Sequence, residues 1–379
     1  MAVKNTSAPF YTKLAMVLVS VIAVGYLSIL GKKILVPLLF SLMFAILLLP
    51  MANLLERKLK LPRGAASILS VVLFISVVAS VLYLVAAQIS NLADDWPLFQ
   101  QQLTTSINHL QDWISSTFHV NVQKQRDYVN NATDAIMSSG TSVLSATVTS
   151  VSSMLFYLVF VLIDTFFLLF YRRLIITFLL AVFKEDNSVV VYEIIENIQN
   201  IIRQYIIGLL LEMAVVASAC CIAFEILGIK YAILLGLLTG LFNVIPYIGI
   251  FTALALCTFI TFATGASGGT VLLVAIVIIA IHLIDSNVLL PVIVGSKVKI
   301  NALITILGVV IGGMLWGIPG TFLAIPIIAM AKIIFDRVES LKPWGILLGE
   351  EKHEKRKKPI GASTGEKAAE NVKDTPGAV

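Results

Sequence analysis

Four ionisable side chains sit where an apolar chain can least accommodate them. Asp164 lies in VLIDTFF, Glu212 in GLLLEMAV, and His282 and Asp285 in IAIHLIDSNVLLP. Charge is costly in hydrocarbon, so each is a functional candidate by default. His282 and Asp285 are spaced i, i+3 and share a helix face. Ser286 and Asn287 add donors and acceptors beside them and Pro291 follows, making the densest polar cluster of the apolar part. Glu212 falls about 12 Å by helical rise from the inner end of its run, near mid-depth. A buried carboxylate can take up a proton or cation and release it as access alternates. Asp285 is the first candidate for that coupling and Glu212 the second. His282 reads equally well as a histidine bonded to nearby backbone, and Asp164 as a structural partner of a Ser or Tyr.

The chain around these residues is 379 residues long, 58% hydrophobic and 13% charged, with a mean hydropathy of +0.96. A soluble domain carries about twice that charge, so the class is integral membrane protein. The net charge of +5 is scattered over short loops and the C-terminal tail, which points to topology rather than nucleic acid. Cys220, Cys221 and Cys257 lie in apolar runs and read as small core residues. With four histidines in all and no Cys/His spacing, neither a metal site nor a cofactor is expected. No HExxH or phosphate-binding loop appears, so an enzyme is not expected. The first apolar run is too long for a cleaved leader and reads as a span.

Successive runs of about 20 apolar residues mark the spans. Residues 1–90 hold three, at Leu14–Leu30, Ile34–Leu55 (with Pro37 and Pro50 marking its ends) and Ala65–Ile89. The loop ERKLKLPR is the strongest basic loop of the front half and places both it and the N-terminus in the cytoplasm, with Lys32 and Lys33 dissenting. Residues 91–148 form an external insertion. In it Trp96, Phe99, Leu103, Ile107, Leu110, Ile114 and Phe118 recur at helical steps, and a weaker amphipathic helix follows near Val122–Ile136. The fourth span, Val151–Tyr171 within the unit 149–182, ends inside at Arg172-Arg173; residues 172–204 read as an amphipathic cytoplasmic helix pair, with 183–204 as a unit of its own. Residues 205–340 form the transport core, and 341–379 a disordered basic tail whose Lys355–Lys358 run could meet anionic headgroups. Asn131-Ala132-Thr133 fits a glycosylation sequon that matters only in a eukaryotic secretory route.

Within the core, the basic GSKVK at 295–299 fixes one end of the span 271–294 inside. Segment 231–263 then starts and finishes outside and must be a hairpin with its tip at Asn243-Val244-Ile245-Pro246-Tyr247-Ile248-Gly249. Segment 302–334 starts and finishes inside, with its tip at Trp316–Gly320. The expected fold is all-α and polytopic. It has about eight membrane segments, including two broken hairpins of opposite orientation, and an external helical insertion. GxxxG pairs, Gly236/Gly240 and Gly308/Gly312, precede both tips and are equally explained as packing faces. Inverted repeats with broken elements typify secondary transporters. Asn243, Pro246, Tyr247, Gly249, Asn287, Pro291, Pro319 and Gly320 are therefore candidates for a substrate or ion path.

The order of elements, together with NVIPYIG at Asn243–Gly249, DSNVLLPVIVG at Asp285–Gly295 and LWGIPGTFLAIP at Leu315–Pro326, resembles the autoinducer-2 exporter family of bacterial permeases over about residues 10–340. Many members carry His-Pro where this chain has Asn301-Ala302. The resemblance implies a multi-pass permease of the bacterial inner membrane, with both termini cytoplasmic, working as a homo-oligomer. It implies either export of a small polar metabolite such as autoinducer-2, with proton coupling, or sodium(lithium)/proton antiport. A passive channel or a membrane scaffold remains open as a different class. The partners expected are a small-molecule or ion substrate and the lipid bilayer, not nucleic acid.

Overall fold

A computed structural model describes residues 9–118, 157–183, 188–245, 248–295 and 300–350. The described residues are helical throughout: α1 (Phe10–Leu30), α2 (Lys32–Lys58), α3 (Arg63–Asp94), α4 (Trp96–Phe118), α5 (Tyr157–Phe170), α6 (Arg172–Val182), α7 (Ser188–Ile226), α8 (Ala232–Asn243), α9 (Ile248–Ala263), α10 (Gly268–Ile284), α11 (Ala302–Trp316), α12 (Ile318–Arg337) and α13 (Lys342–Leu348). Six of these helical segments are long and apolar enough to cross a membrane, and α5, α8, α9 and α11 are shorter apolar helices. The protein is an all-α polytopic membrane protein. The weaker amphipathic helix near Val122–Ile136, the sequon, the loop 296–299 and residues 351–379 of the basic tail lie outside the described residues. The first residues of that tail, 341–350, are not disordered as expected: Lys342–Leu348 form α13, whose Gly345 is buried against Asp336, and Gly349 bridges to Ile300.

Two boundaries differ from the sequence reading. Pro37 and Pro50 lie inside α2 rather than at its ends. A membrane helix tolerates proline where neighbouring groups take up the freed backbone polarity. One turn after Pro37, the Ser41 hydroxyl shares its proton between Pro37 O at 2.7 Å and Val161 O of α5 at 3.1 Å, tying the two helices together. The fifth span and the amphipathic stretch before it are one continuous helix, α7, of 39 residues. No Pro or Gly interrupts residues 188–207, so nothing in the chain stops the helix between them.

Helix α7 is the rail on which the core is built. Helix α8 folds back along it, and the close approach uses the first GxxxG. A Cβ at Gly240 would stand 2.6 Å from Ala217 Cβ and 2.7 Å from Met213 O, and one at Gly236 would overlap Cys221. Helix α9 returns along α8, and at the tip a Cβ on Gly249 would collide with Phe242 O. Helices α11 and α12 make the second hairpin, with Gly312 and Gly320 in backbone contact and Gly317 at φ +69 in the break. Small residues are what permit such approach, because lipid tails provide no hydrophobic drive between helices.

The hairpins come from opposite ends. Helix α12 runs antiparallel to α7 and is pinned by Arg337 to Glu193 at 2.6 Å. From that pair, α12 reaches Ile318 over as many residues as α7 needs to reach Glu212. Val244 beside the first tip packs into the same apolar cluster as Leu315 and Trp316 of the second. At a rise of ~1.5 Å per residue, the 12 residues of α8 extend about 18 Å against a hydrocarbon core of about 30 Å.

The outer end is held by a second device. Tyr231 precedes α8 at φ +68, a left-handed conformation rare for a bulky residue. Its hydroxyl donates to Asp95 Oδ2 at 2.7 Å, and Lys230 Nζ stands 3.0 Å from the same oxygen. The turn between α7 and α8 is thus locked to the junction of α3 and α4. Helix α4 then lies over the end of α9, with Ile107 against Ala263 and Phe262. The Tyr231 hydrogen bond, then Lys230, hold the Asp95 carboxyl below its usual range.

Two tests follow from this packing. Gly312→Val should lower the thermal stability of the purified protein by roughly 1–3 kcal/mol through overpacking. Gly25→Val, where a Cβ meets nothing within 4 Å, should leave the melting temperature nearly unchanged. The Asp95 clamp should contribute above the ordinary carboxylate range and be lost as pH falls below about 4. The melting temperature of Asp95→Asn should accordingly fall less than that of the wild type between neutral and acid pH.

Candidate functional site

The site lies where the first hairpin ends against α7 and α10. Asn243, the last residue of α8, points its amide between two carboxylates. Nδ2 donates to Glu212 Oε1 at 3.2 Å and to Asp285 Oδ2 at 3.0 Å. Glu212 is 2% exposed and Asp285 3%. Their other oxygens, Glu212 Oε2 and Asp285 Oδ1, are buried and have no hydrogen-bond partner. Two buried carboxylates sharing one neutral donor cannot both stay charged and bare, because each would carry an uncompensated desolvation cost of several kcal/mol. The arrangement is chemically complete only with a proton on one of them or a cation beside them.

Local structure explains how the three groups meet. Residues 212 and 285 come from long helices, and Asn243 can reach both only because α8 stops there. Gly249 lets α9 turn back against Phe242 without a side chain in the way. At Asp285 the α-helix widens into π turns, Asp285–Leu289 and Pro291–Gly295. Such insertions are frequent at functional sites, since they rotate a side chain out of the regular helical register.

A small void with room for about one water adjoins the bridge. Its lining includes Thr239, Asn243, Ala253, His282 and Asp285. His282 Nε2 is 3.2 Å from Ser286 Oγ, while Nδ1 is buried and has no partner.

The candidate residues divide as follows. Glu212, Asp285, Asn243 and His282 come together, and Gly249 and Gly320 serve the hairpin packing. Pro319 lies in the first turn of α12, where its missing N–H costs nothing. Pro291 opens the second π turn. Asn287 is exposed and donates to Leu283 O of its own helix at 2.7 Å, so it stays apart from the bridge. Asp164 sits on α5, away from the bridge, with no hydrogen bond or ion pair among the described residues. Pro246 and Tyr247 lie outside the described residues. Thr239 escaped the sequence reading, although it stands one turn before Asn243 on α8 and its hydroxyl lies 3.4 Å from Cys257 Sγ. Gly265-Ala266-Ser267-Gly268-Gly269 has the spacing of a hydrolase nucleophile elbow, but Ser267 Oγ caps α10 by accepting from Thr270 N at 3.2 Å. Among the described residues no cluster of His, Cys, Asp and Glu has the makings of a metal site.

The family model described as AI-2E family transporter matches residues 14–340. The chain belongs to the AI-2E transporter family. It is 28% identical over 309 residues to YueF of Bacillus subtilis, covering 77% of this chain and 80% of that one. It is likewise 28% identical over 320 residues to YrrI of the same organism, covering 80% and 86%. PerM of Escherichia coli is 28% identical over 207 residues, 54% of this chain and 58% of that protein. The two Bacillus proteins carry provisional names as transport proteins and PerM one as a permease. This AI-2E family member is thus a multi-pass membrane transporter, and the buried bridge lies within the matched region.

Replacing Asn243 by Leu should cost about 2–3 kcal/mol of thermal stability, because it strips both carboxylates of a donor. Adding Glu212→Gln to that variant should recover much of the loss, by removing one uncompensated charge. A double-mutant cycle of melting temperatures reads the coupling.

Proposed function

We propose that this protein is a secondary-active transporter of the bacterial inner membrane, with Glu212 and Asp285 as its coupling site. The pair holds a proton in one access state and a small monovalent cation, such as sodium or lithium, in the other. The observation that carries this reading is the Asn243 amide shared by two buried carboxylates whose remaining oxygens are unpartnered. Hard cations take carboxylate and amide oxygens, and the adjoining void suits a bare ion better than an organic molecule. In exchange, cation entry displaces the proton and cation release readmits it. The hairpin tips, arriving from opposite ends, are the natural gates, because moving either one opens the bridge to one side only. Cytoplasmic termini and a homo-oligomeric assembly complete the proposal.

A second reading is proton-coupled export of a small polar metabolite such as autoinducer-2, favoured by the family's description. The same carboxylates would then carry the driving proton, and substrate would pass elsewhere. A larger cavity of about 240 Å³ lies between α2, α5, α6, α7 and α12, but its lining is apolar apart from Arg172 and Gln199.

Everted vesicles with an acidified lumen and a pH-sensitive dye separate the readings. Sodium or lithium should raise the lumenal pH, and Asp285→Asn should abolish the response. Retention of the response in Asp285→Asn refutes the coupling role. If no cation gives a response, exchange fails and labelled autoinducer-2 becomes the solute to follow.

A further inference from the structure

Three polar atoms around the bridge are buried and unpartnered: Glu212 Oε2, Asp285 Oδ1 and His282 Nδ1. Native proteins rarely leave such atoms unsatisfied, and an internal water or ion is the usual explanation. Two of the three belong to residues lining the void, which has room for about one water. Asn243 and Thr239 line it too, so a water there has the two to four polar neighbours that hold one in place. The walls are otherwise aliphatic, among them Val216, Ile250, Ala253 and Ile278, which keeps further water out.

We propose that this void is a binding site for a single water joining His282 to Asp285, and that His282 is the station through which protons reach and leave the carboxylate pair. This deepens the coupling role of Glu212 and Asp285 and rests on it. Among the described residues, the ionisable group lining the void with His282 is Asp285 on its own helix, and α8 adds only the neutral Asn243 and Thr239. Glu212 from α7 joins through the Asn243 amide, and the Cys257 thiol from α9 lies 3.4 Å from Thr239 Oγ1. His282 Nε2 meets Ser286 Oγ at 3.2 Å, and Ser286 is exposed. The ring therefore joins the Ser286 hydroxyl, on the surface of the π turn after α10, to the buried water.

The transfer balances. A proton arriving at Nε2 from the Ser286 side converts neutral His282 to the imidazolium. The Nδ1 proton passes to the water as the water gives one of its own to the Asp285 carboxylate. The ring is neutral again with its proton on Nε2, the water is unchanged and the carboxyl is formed. Reversal of the same steps discharges the carboxyl and restores the starting tautomer.

The test reads the carboxyl itself, independently of any substrate. Purified protein in liposomes is exposed to heavy water, and deuterium exchange is followed at the infrared carboxyl C=O band that Asp285→Asn removes. His282→Gln, which keeps a hydrogen-bonding side chain but carries no exchangeable charge, should slow that exchange roughly tenfold or more. Ala253→Leu, which fills the void and leaves His282 in place, should slow it likewise. Imidazole should restore a measurable part of the rate in His282→Ala. Unaltered exchange in both His282→Gln and Ala253→Leu, or the absence of a band removed by Asp285→Asn, overturns the proposal. In vesicles, His282→Gln should change the pH profile of transport. Abolished transport in Asp285→Asn with a wild-type pH profile in His282→Gln refutes the relay alone. Wild-type transport in Asp285→Asn refutes the coupling reading beneath it.

Discussion

Burying two carboxylates at one level of a membrane protein is the constraint that the core answers. Each anion needs a donor, and the chain supplies one amide for both. That amide comes from the last residue of α8, Asn243, after which the chain turns into α9. The turn is possible because Gly249 has no side chain to strike Phe242 O. The depth of the tip is set by how α8 seats on α7, and Gly236 and Gly240 fix that seat by letting backbones approach. The electrostatic problem at the bridge and the small-residue packing above it are one design.

The second hairpin repeats the solution with a different outcome. Gly312 and Gly320 bring α11 and α12 together as Gly236 and Gly240 bring α8 to α7, and Gly317 supplies the left-handed break. Its tip carries no carboxylate, and its Leu315 and Trp316 belong to the apolar cluster that also takes in Val244. Trp316 Nε1 donates to Ser28 O of α1 at 2.9 Å, which ties this tip to the first helix. Broken backbone at depth is tolerated in both because protein surrounds it.

In the proposed coupling, a proton or cation would change the charge at the bridge, where the tip of α8 and the π turns after α10 lie. The Asp95, Lys230 and Tyr231 clamp holds the far end of α8 to the start of α4. Helix α4 rests on α9 beside it.

The amino-acid sequence by itself determined the all-α membrane class and pointed to a short set of acids as candidates. Apolar runs have one stable environment, and a carboxylate within such a run is costly enough to single out. Asp285 and His282 could be paired from their i, i+3 spacing alone. What only the tertiary structure decided is which acid meets which. Glu212, Asn243 and Asp285 lie dozens of residues apart, and no local rule says that one amide is shared between the two carboxylates. Asp164, equally conspicuous in the sequence, stays apart because α5 packs on α2 through Ser41 and Thr165 rather than on the core. Asn287 is spent on its own helix, whereas Thr239, inconspicuous in the text, faces the void. The clamp at Tyr231 was hidden for the same reason, since Asp95 and Tyr231 are brought together by the path of α3 and not by any pattern in either segment. Local propensity and the cost of buried charge can be read along one strand of text. The sharing of a hydrogen bond depends on how helices seat against one another, and that is set by packing across the fold.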